Sequence, residues 1–135
     1  MSPLLEMTAR FLLAVALGAG IGFQRERAGK TAGVRTHILV SAGAALFTLV
    51  SIYGFSGVAV DISRVAAAVV LGVGFIGGGV IFRGSRGEEV AGLTTAATIW
   101  ITAAVGLAAG AGMYLVSVIA TAVTLGILLL PKIRG

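Results

Sequence analysis

VAGLTTAATIWITAAVGLAAGAGMYLVSVIATAVTLGILLLP, residues 90–131, is a run of 42 residues without Asp, Glu, Lys, Arg or His. A helix rises about 1.5 Å per residue, so roughly 20 residues cross the hydrocarbon core of a bilayer. The run is long enough for two crossings, and its composition identifies a chain that is integral to a membrane. The rest of the sequence agrees. Hydrophobic residues make up 58% of the 135, charged residues 11%, and the mean hydropathy is +1.08. About a quarter of an ordinary soluble domain is charged, which excludes that class.

Working outward from this run, apolar segments and charged punctuation define five spans in a single 1–135 transmembrane domain. They cover about 4–23, 38–59, 65–82, 93–107 and 113–130. Lipid supplies no partner for a free backbone group, and the long runs lack the alternation of a barrel, so the fold class is all-α: a five-helix transmembrane bundle. Gly106, Gly110 and Gly112 supply the backbone freedom for a turn between the last two spans. Pro131 closes the final helix. Four spans, with 90–131 as one tilted or re-entrant helix, is the alternative.

Charge orients the bundle. Arg25, Arg27, Lys30, Arg35, Arg83, Arg86, Lys132 and Arg134 fall on one side, against Arg10 and Arg64 on the other. This bias predicts an external N-terminus and a cytoplasmic C-terminus. The net charge of +5 therefore reads as topology and anionic-lipid attraction, not nucleic-acid binding. Met1 to Met7 lacks a basic segment and carries Glu6, so the first apolar stretch reads as a retained span rather than a signal peptide. The absence of cysteine rules out disulfides, thiolate metal sites and a cysteine nucleophile.

Small residues recur at four-residue spacing: Ala14, Gly18 and Gly22 in the first span, Gly74 and Gly78 in the third, Gly106 and Gly110 ahead of the fifth. Gly77 belongs to the same third-span cluster. Such spacing lets helix backbones approach closely in lipid, and it predicts a tight bundle that assembles as a homodimer or higher homo-oligomer. Two nucleotide-like spellings carry no site. Gly72-Val-Gly74-Phe-Ile-Gly77 lies inside an uncharged span with no acidic partner downstream, and Gly29-Lys30-Thr31 has Gln24 where a phosphate loop needs its first glycine.

The polar candidates are few. Thr94, Thr98 and Thr102 share one face of the fourth span, and Ser117, Thr121 and Thr124 form a second stripe on the fifth. Threonines in such positions bond across helices or back to their own carbonyls. Glu6 and Arg10, four apart, are expected to pair. His37, the sole histidine, reads as an interfacial anchor or local hydrogen-bonding group. Asp61 is suited to cap the third helix with Arg64 satisfying its charge, and it is also the weak candidate for a metal ligand. The acids Glu6, Glu26, Asp61, Glu88 and Glu89 all fall outside the predicted mid-membrane region, so no magnesium cage is spelled out. No cofactor or catalytic residue is expected, because no nucleophile–base pair or metal cluster appears.

Several blocks together resemble the MgtC/SapB family of bacterial membrane proteins. They are Gly22-Phe-Gln-Arg25-Glu26, Lys30-Thr-Ala-Gly33-Val-Arg35-Thr36-His37, Gly43-Ala-Ala-Leu-Phe47, Asp61-Ile-Ser-Arg64, Gly72-Val-Gly74-Phe75-Ile-Gly77 and Gly92-Leu-Thr94-Thr95-Ala-Ala-Thr98-Ile-Trp100. The resemblance covers about Gly18 to Gly112. It implies five spans with a cytoplasmic C-terminus in the bacterial inner membrane, a link to magnesium limitation, and action on other membrane proteins such as the F-type ATP synthase. Magnesium is the implied ion. The alternative is an oligomeric transporter or channel for magnesium, another ion or a small solute. The family positions found here are Arg25, Arg35, Thr36, Asp61, Arg64, Gly74, Gly77, Thr94 and Thr95. Departures are Gln24 for a usual glutamate, and Ala68 and Leu71 for a usual glutamine and serine. A soluble C-terminal domain common in relatives is not expected within these 135 residues.

Overall fold

The computed structural model describes residues 2–57, 59–83 and 90–130. Arg86, Glu88, Glu89, Lys132 and Arg134, which the charge argument used, lie outside the described residues, as does Pro131. Five helices are arranged in chain order: α1 (Pro3–Arg27), α2 (Val34–Tyr53), α3 (Ser63–Gly79), α4 (Leu93–Gly110) and α5 (Tyr114–Leu128). A two-residue antiparallel ladder, β1 (Phe82–Arg83) with β2 (Val90–Ala91), lies between α3 and α4 and pairs Phe82 with Ala91.

Three helices, α1, α2 and α4, are long and apolar enough to cross a membrane, whereas α3 and α5 are equally apolar but shorter. At 17 and 15 residues, these two reach only about 22–26 Å. The chain is a membrane protein built as a helical bundle.

The boundaries differ from the sequence reading in two instructive places. The second helix begins at Val34 and ends at Tyr53, not at 38 and 59, because Gly54 and the residues after it leave the helix. The turn before α5 is confined to 111–113. Gly106 and Gly110 remain helical, and only Gly112 adopts positive φ, at 87°. A glycine therefore does terminate the helix, as the αL residue past its end. The other two serve packing instead.

That packing is concentrated in α1, α2 and α4, whose mutual interfaces are the most extensive in the molecule. A Cβ placed on Gly18 would lie 2.7 Å from the His37 carbonyl, and one on Gly22 2.7 Å from the Val34 Cα. On α4, a Cβ on Gly110 would lie 2.7 Å from the Ala45 carbonyl, and one on Gly106 would collide with the Ser41 carbonyl. Two glycine stripes, from α1 and α4, thus both hold α2 at close range, meeting it around Ser41. Backbone contact of this kind substitutes in lipid for the water exclusion that drives soluble cores.

The third stripe behaves otherwise. A Cβ on Gly77 would lie 3.6 Å from Ala96, an ordinary contact, but one on Gly74 or Gly78 would meet nothing within 4 Å. Among the described residues, neither Gly74 nor Gly78 meets another helix of the chain.

Candidate functional site

The end of the bundle that carries the basic α1–α2 loop also holds a buried polar cluster. Four-residue spacing places His37 and Ser41 on the face of α2 that turns inward, and Thr95, Thr98 and Thr102 on the matching face of α4. His37, Ser41 and Thr102 are fully buried. Between them comes the last turn of α1, which contributes Arg25. Arg25 is 3% exposed, and its Nη2 donates to Thr95 Oγ1 at 3.1 Å. The Nε of Arg25 and the Oε1 of Gln24 are buried and meet no hydrogen-bond partner among the described residues. No carboxylate lies within 4 Å of Arg25 among the described residues.

His37 bridges two helices. Its Nδ1–H donates to the Gly33 carbonyl at 2.8 Å, which makes Nε2 of a neutral ring an acceptor. Nε2 lies 3.2 Å from Thr98 Oγ1, and the same hydroxyl is 2.8 Å from the Thr95 carbonyl. One hydroxyl proton thus serves two acceptors. The sequence reads His37 as an interfacial anchor or local hydrogen-bonding group. It does make the local bond, to Gly33, but as a fully buried core residue that also joins α2 to α4, and its neighbour Gly22 explains how a ring fits there.

The other hydroxyls are closed onto backbone. Ser41 donates to the Ala14 carbonyl at 2.7 Å, joining α2 to α1. Thr48, Thr102, Thr121 and Thr124 each donate to the carbonyl four residues earlier in their own helix. Ser117 bonds three residues back, to the Tyr114 carbonyl at 2.8 Å. Ser51 reaches the Ile62 carbonyl at 3.0 Å and ties the α2–α3 loop to α2.

The expected facing of two threonine stripes is realised in part. Thr94, Thr98 and Thr124 line one groove of about 470 Å³ between α4 and α5, with Ile101 and Ile127. The remaining wall is apolar, and the Thr98 and Thr124 hydroxyls are turned to carbonyls of their own helices. Thr94 is exposed, whereas Thr95, one position on, is buried against Arg25.

Other sequence candidates disperse. Glu26 is exposed, and its Oε1 accepts from the Val34 amide at 3.1 Å, capping the start of α2. Arg35 is exposed and Thr36 half-buried, both outside the cluster.

Asp61 lies at the other end of the bundle, away from these residues along α3. Its Oδ1 accepts from the Ser63 hydroxyl at 2.7 Å and the Ser63 amide at 3.0 Å. These bonds hold its pKa below the usual carboxylate value, with Arg64 a minor contributor. The expected ion pair with Arg64 does not form within 4 Å. Asp61 is partnered by Ser63 instead, since a short acid bonds most easily to the amide and hydroxyl two residues on. Asp61 is exposed, and among the described residues no three potential ligands cluster to hold a metal.

At that same end, the expected Glu6–Arg10 pair forms at 2.9 Å. The Tyr114 hydroxyl also donates to Glu6, Arg10 Nη1 donates to the Gly110 carbonyl at 3.1 Å, and the guanidinium stacks 5.5 Å over Tyr53. This clamp joins α1 to the ends of α2, α4 and α5. Sequence reading found its first two members by helical spacing. The tyrosines stand about 40 and 100 residues away, and no local pattern marks them.

A basic-ended helical bundle with a closed glycine-gripped core is the class that fold and cluster define. The sequence model of the MgtC family matches residues 11–133, and the chain belongs to that family. Among curated proteins, "Putative magnesium transporter YhiD" of Escherichia coli (strain K12) is 48% identical over 133 residues, covering 90% of this chain and 60% of that protein. "Protein SrpB" of Synechococcus elongatus is 45% identical, covering 90% of this chain and 72% of the relative. "Protein MgtC" of Brucella abortus (strain 2308) is 46% identical, covering 88% and 48%. The chain thus spans between about half and three-quarters of the length of these relatives. No solved structure matches it.

Proposed function

We propose that this chain is a non-enzymatic, multi-pass protein of the bacterial inner membrane that serves magnesium and ion homeostasis by engaging other membrane proteins. The observation that carries this reading is the closed core. Ser41, Thr48, Thr98 and Thr102 donate their hydroxyls to backbone carbonyls, and at Gly18, Gly22, Gly106 and Gly110 the α1–α2 and α2–α4 backbones approach too closely to admit a Cβ. Dehydrating a magnesium ion calls for oxygen ligands in octahedral array, usually with carboxylates. The described core offers none. The link to magnesium rests on the family and on the name of the Escherichia coli relative. The exposed Arg27, Lys30 and Arg35 of the α1–α2 loop and the α3 face are the surfaces for a partner, with the F-type ATP synthase as the one the family resemblance suggests.

A second reading, transport by an oligomer, is favoured by the α4–α5 groove where Thr94, Thr98 and Thr124 meet. The two separate in sealed liposomes. Partner binding is expected to give no magnesium flux above empty vesicles, with specific capture of a purified membrane complex such as ATP synthase. Flux that disappears in a Thr94→Val/Thr98→Val double variant would establish transport and refute the first reading.

A further inference from the structure

We infer that the first turn of α4 and the Arg25 guanidinium together form an oxyanion site of phosphate type at the basic end of the bundle. The inference goes beyond the homeostasis reading and does not depend on it.

Three observations converge. Arg25 is 3% exposed, and guanidinium keeps its charge under all conditions a protein meets. Among the described residues its Nε has no acceptor, and Nη2 is spent on a neutral hydroxyl, Thr95 Oγ1, at 3.1 Å. A buried charge without a counter-charge is strongly unfavourable unless something of opposite sign reaches it. The α1 C-terminus, where Arg25 sits in the last turn, supplies only a partial negative charge.

Thr95 is the third residue of α4, so the guanidinium sits against the positive end of that helix's dipole. Gly92, the N-cap at φ 85°, brings no side chain to cap the first-turn amides. The glycine is obligatory, because a Cβ there would collide with the Val80 carbonyl. An 18-residue helix thus begins with uncapped amides beside an unneutralised guanidinium. Two positive elements side by side repel each other. An oxyanion between them takes hydrogen bonds from both, as at other helix N-termini that hold phosphate.

The ligand chemistry is a tetrahedral phosphate oxyanion, supplied either by a phospholipid headgroup or by free phosphate. Leu93 and Thr94 are exposed, so the first turn of α4 lies at the surface from which either would arrive. Exposed Arg27, Lys30 and Arg35 raise the local anion concentration but lie outside the site.

The full chain in phosphatidylcholine nanodiscs is titrated with inorganic phosphate by calorimetry. In parallel, nanodiscs containing phosphatidylglycerol are analysed for lipid retained on release of the protein. Binding in the first arm alone assigns free phosphate, and retention in the second assigns the headgroup. Either supports the site. In the arm that shows binding, Arg25→Gln is expected to weaken it at least tenfold and Arg35→Gln less than twofold. Equal loss in both variants, or none in Arg25→Gln, overturns the site. If Arg25→Gln does not fold, Arg25→Lys decides: a threefold or greater loss supports the site and wild-type binding overturns it. No binding by wild type in either arm overturns it as well, including the case where binding appears only after Glu88→Gln/Glu89→Gln, which would mean that the chain's own carboxylates fill the place.

Discussion

The helices α1, α2 and α4 differ from α3 and α5 in what their glycines and hydroxyls face. In the first group, Gly18, Gly22, Gly106 and Gly110 each hold a neighbouring backbone at contact distance. In α3, Gly72, Gly74, Gly78 and Gly79 face open space, although each weakens the helix by about 0.5–1 kcal/mol relative to Ala. The same residue type is thus a packing device in one region and an unexplained weakness in the other. Burial follows the same division: α4 buries residues along its whole length, whereas α3 buries only Val69, Val73 and Gly77. A three-helix core carries the fold, and two shorter helices lie against it with faces free for lipid or for another protein.

The sharpest test of this contrast is a pair of identical substitutions. Gly106→Ala drives a methyl into the Ser41 carbonyl, so α2 and α4 must separate. It is expected to destabilise the bundle by about 3 kcal/mol, the upper part of the range for overpacking. Gly74→Ala meets nothing and is expected to stabilise by about 0.5–1 kcal/mol through helix propensity. SDS titration followed by the fluorescence of Trp100, the sole tryptophan, reads both. Equal effects at the two positions would abolish the distinction between core and periphery.

His37→Ala comes next. It removes a ring that spans α2 to α4 and leaves the Gly33 carbonyl and the Thr98 hydroxyl short of one partner each. A loss of about 2 kcal/mol is expected in the same titration, from the cavity and the unpaired groups together. The equivalent truncation in the periphery, Thr124→Ala, breaks a bond within one helix and is expected to change stability by less than 0.5 kcal/mol or so. If the two match, the cluster contributes no more than a hydroxyl bonded within its own helix.

These residues show how far the sequence reaches. The five helices, the membrane setting and the family were all legible, because an uncharged run and its basic punctuation are local properties. So were the Glu6–Arg10 pair and the stripe of Thr98 and Thr102, which follow from helical spacing alone. The cluster was not. Arg25, His37, Thr95 and Thr98 come from three helices, and only the register between those helices brings them together. Charge counting placed Arg25 in a solvated loop, because it cannot tell a cation in a final helical turn from one just beyond it. The same blindness to register made Gly74 and Gly106 look alike.

A smaller effect probes the seam between α1 and α2. Ser41→Ala deletes the bond from Oγ to the Ala14 carbonyl without disturbing shape. Interhelical hydrogen bonds in membrane proteins average about 0.6 kcal/mol, so a loss of that order is expected. A loss several-fold larger would show that the hydroxyl, rather than the glycine contact one turn away, holds these helices together.

The smallest expected effect is on the peripheral side, at Asp61. The Ser63 hydroxyl and amide stabilise its charged form, so its pKa is lower folded than unfolded. The stabilisation is therefore fully present above the unfolded pKa, near 4, and is lost as pH falls through the lower folded value. Asp61 is fully exposed, so screening keeps the effect slight. Unfolding midpoints of wild type and Asp61→Asn, measured between pH 7 and pH 3, are expected to converge at the acid end. The difference at neutral pH should report on the start of α3 alone, leaving the midpoint for the α1–α2–α4 core unmoved. A pH response that also shifts the core would mean that α3 is coupled to it more tightly than its sparse contacts allow.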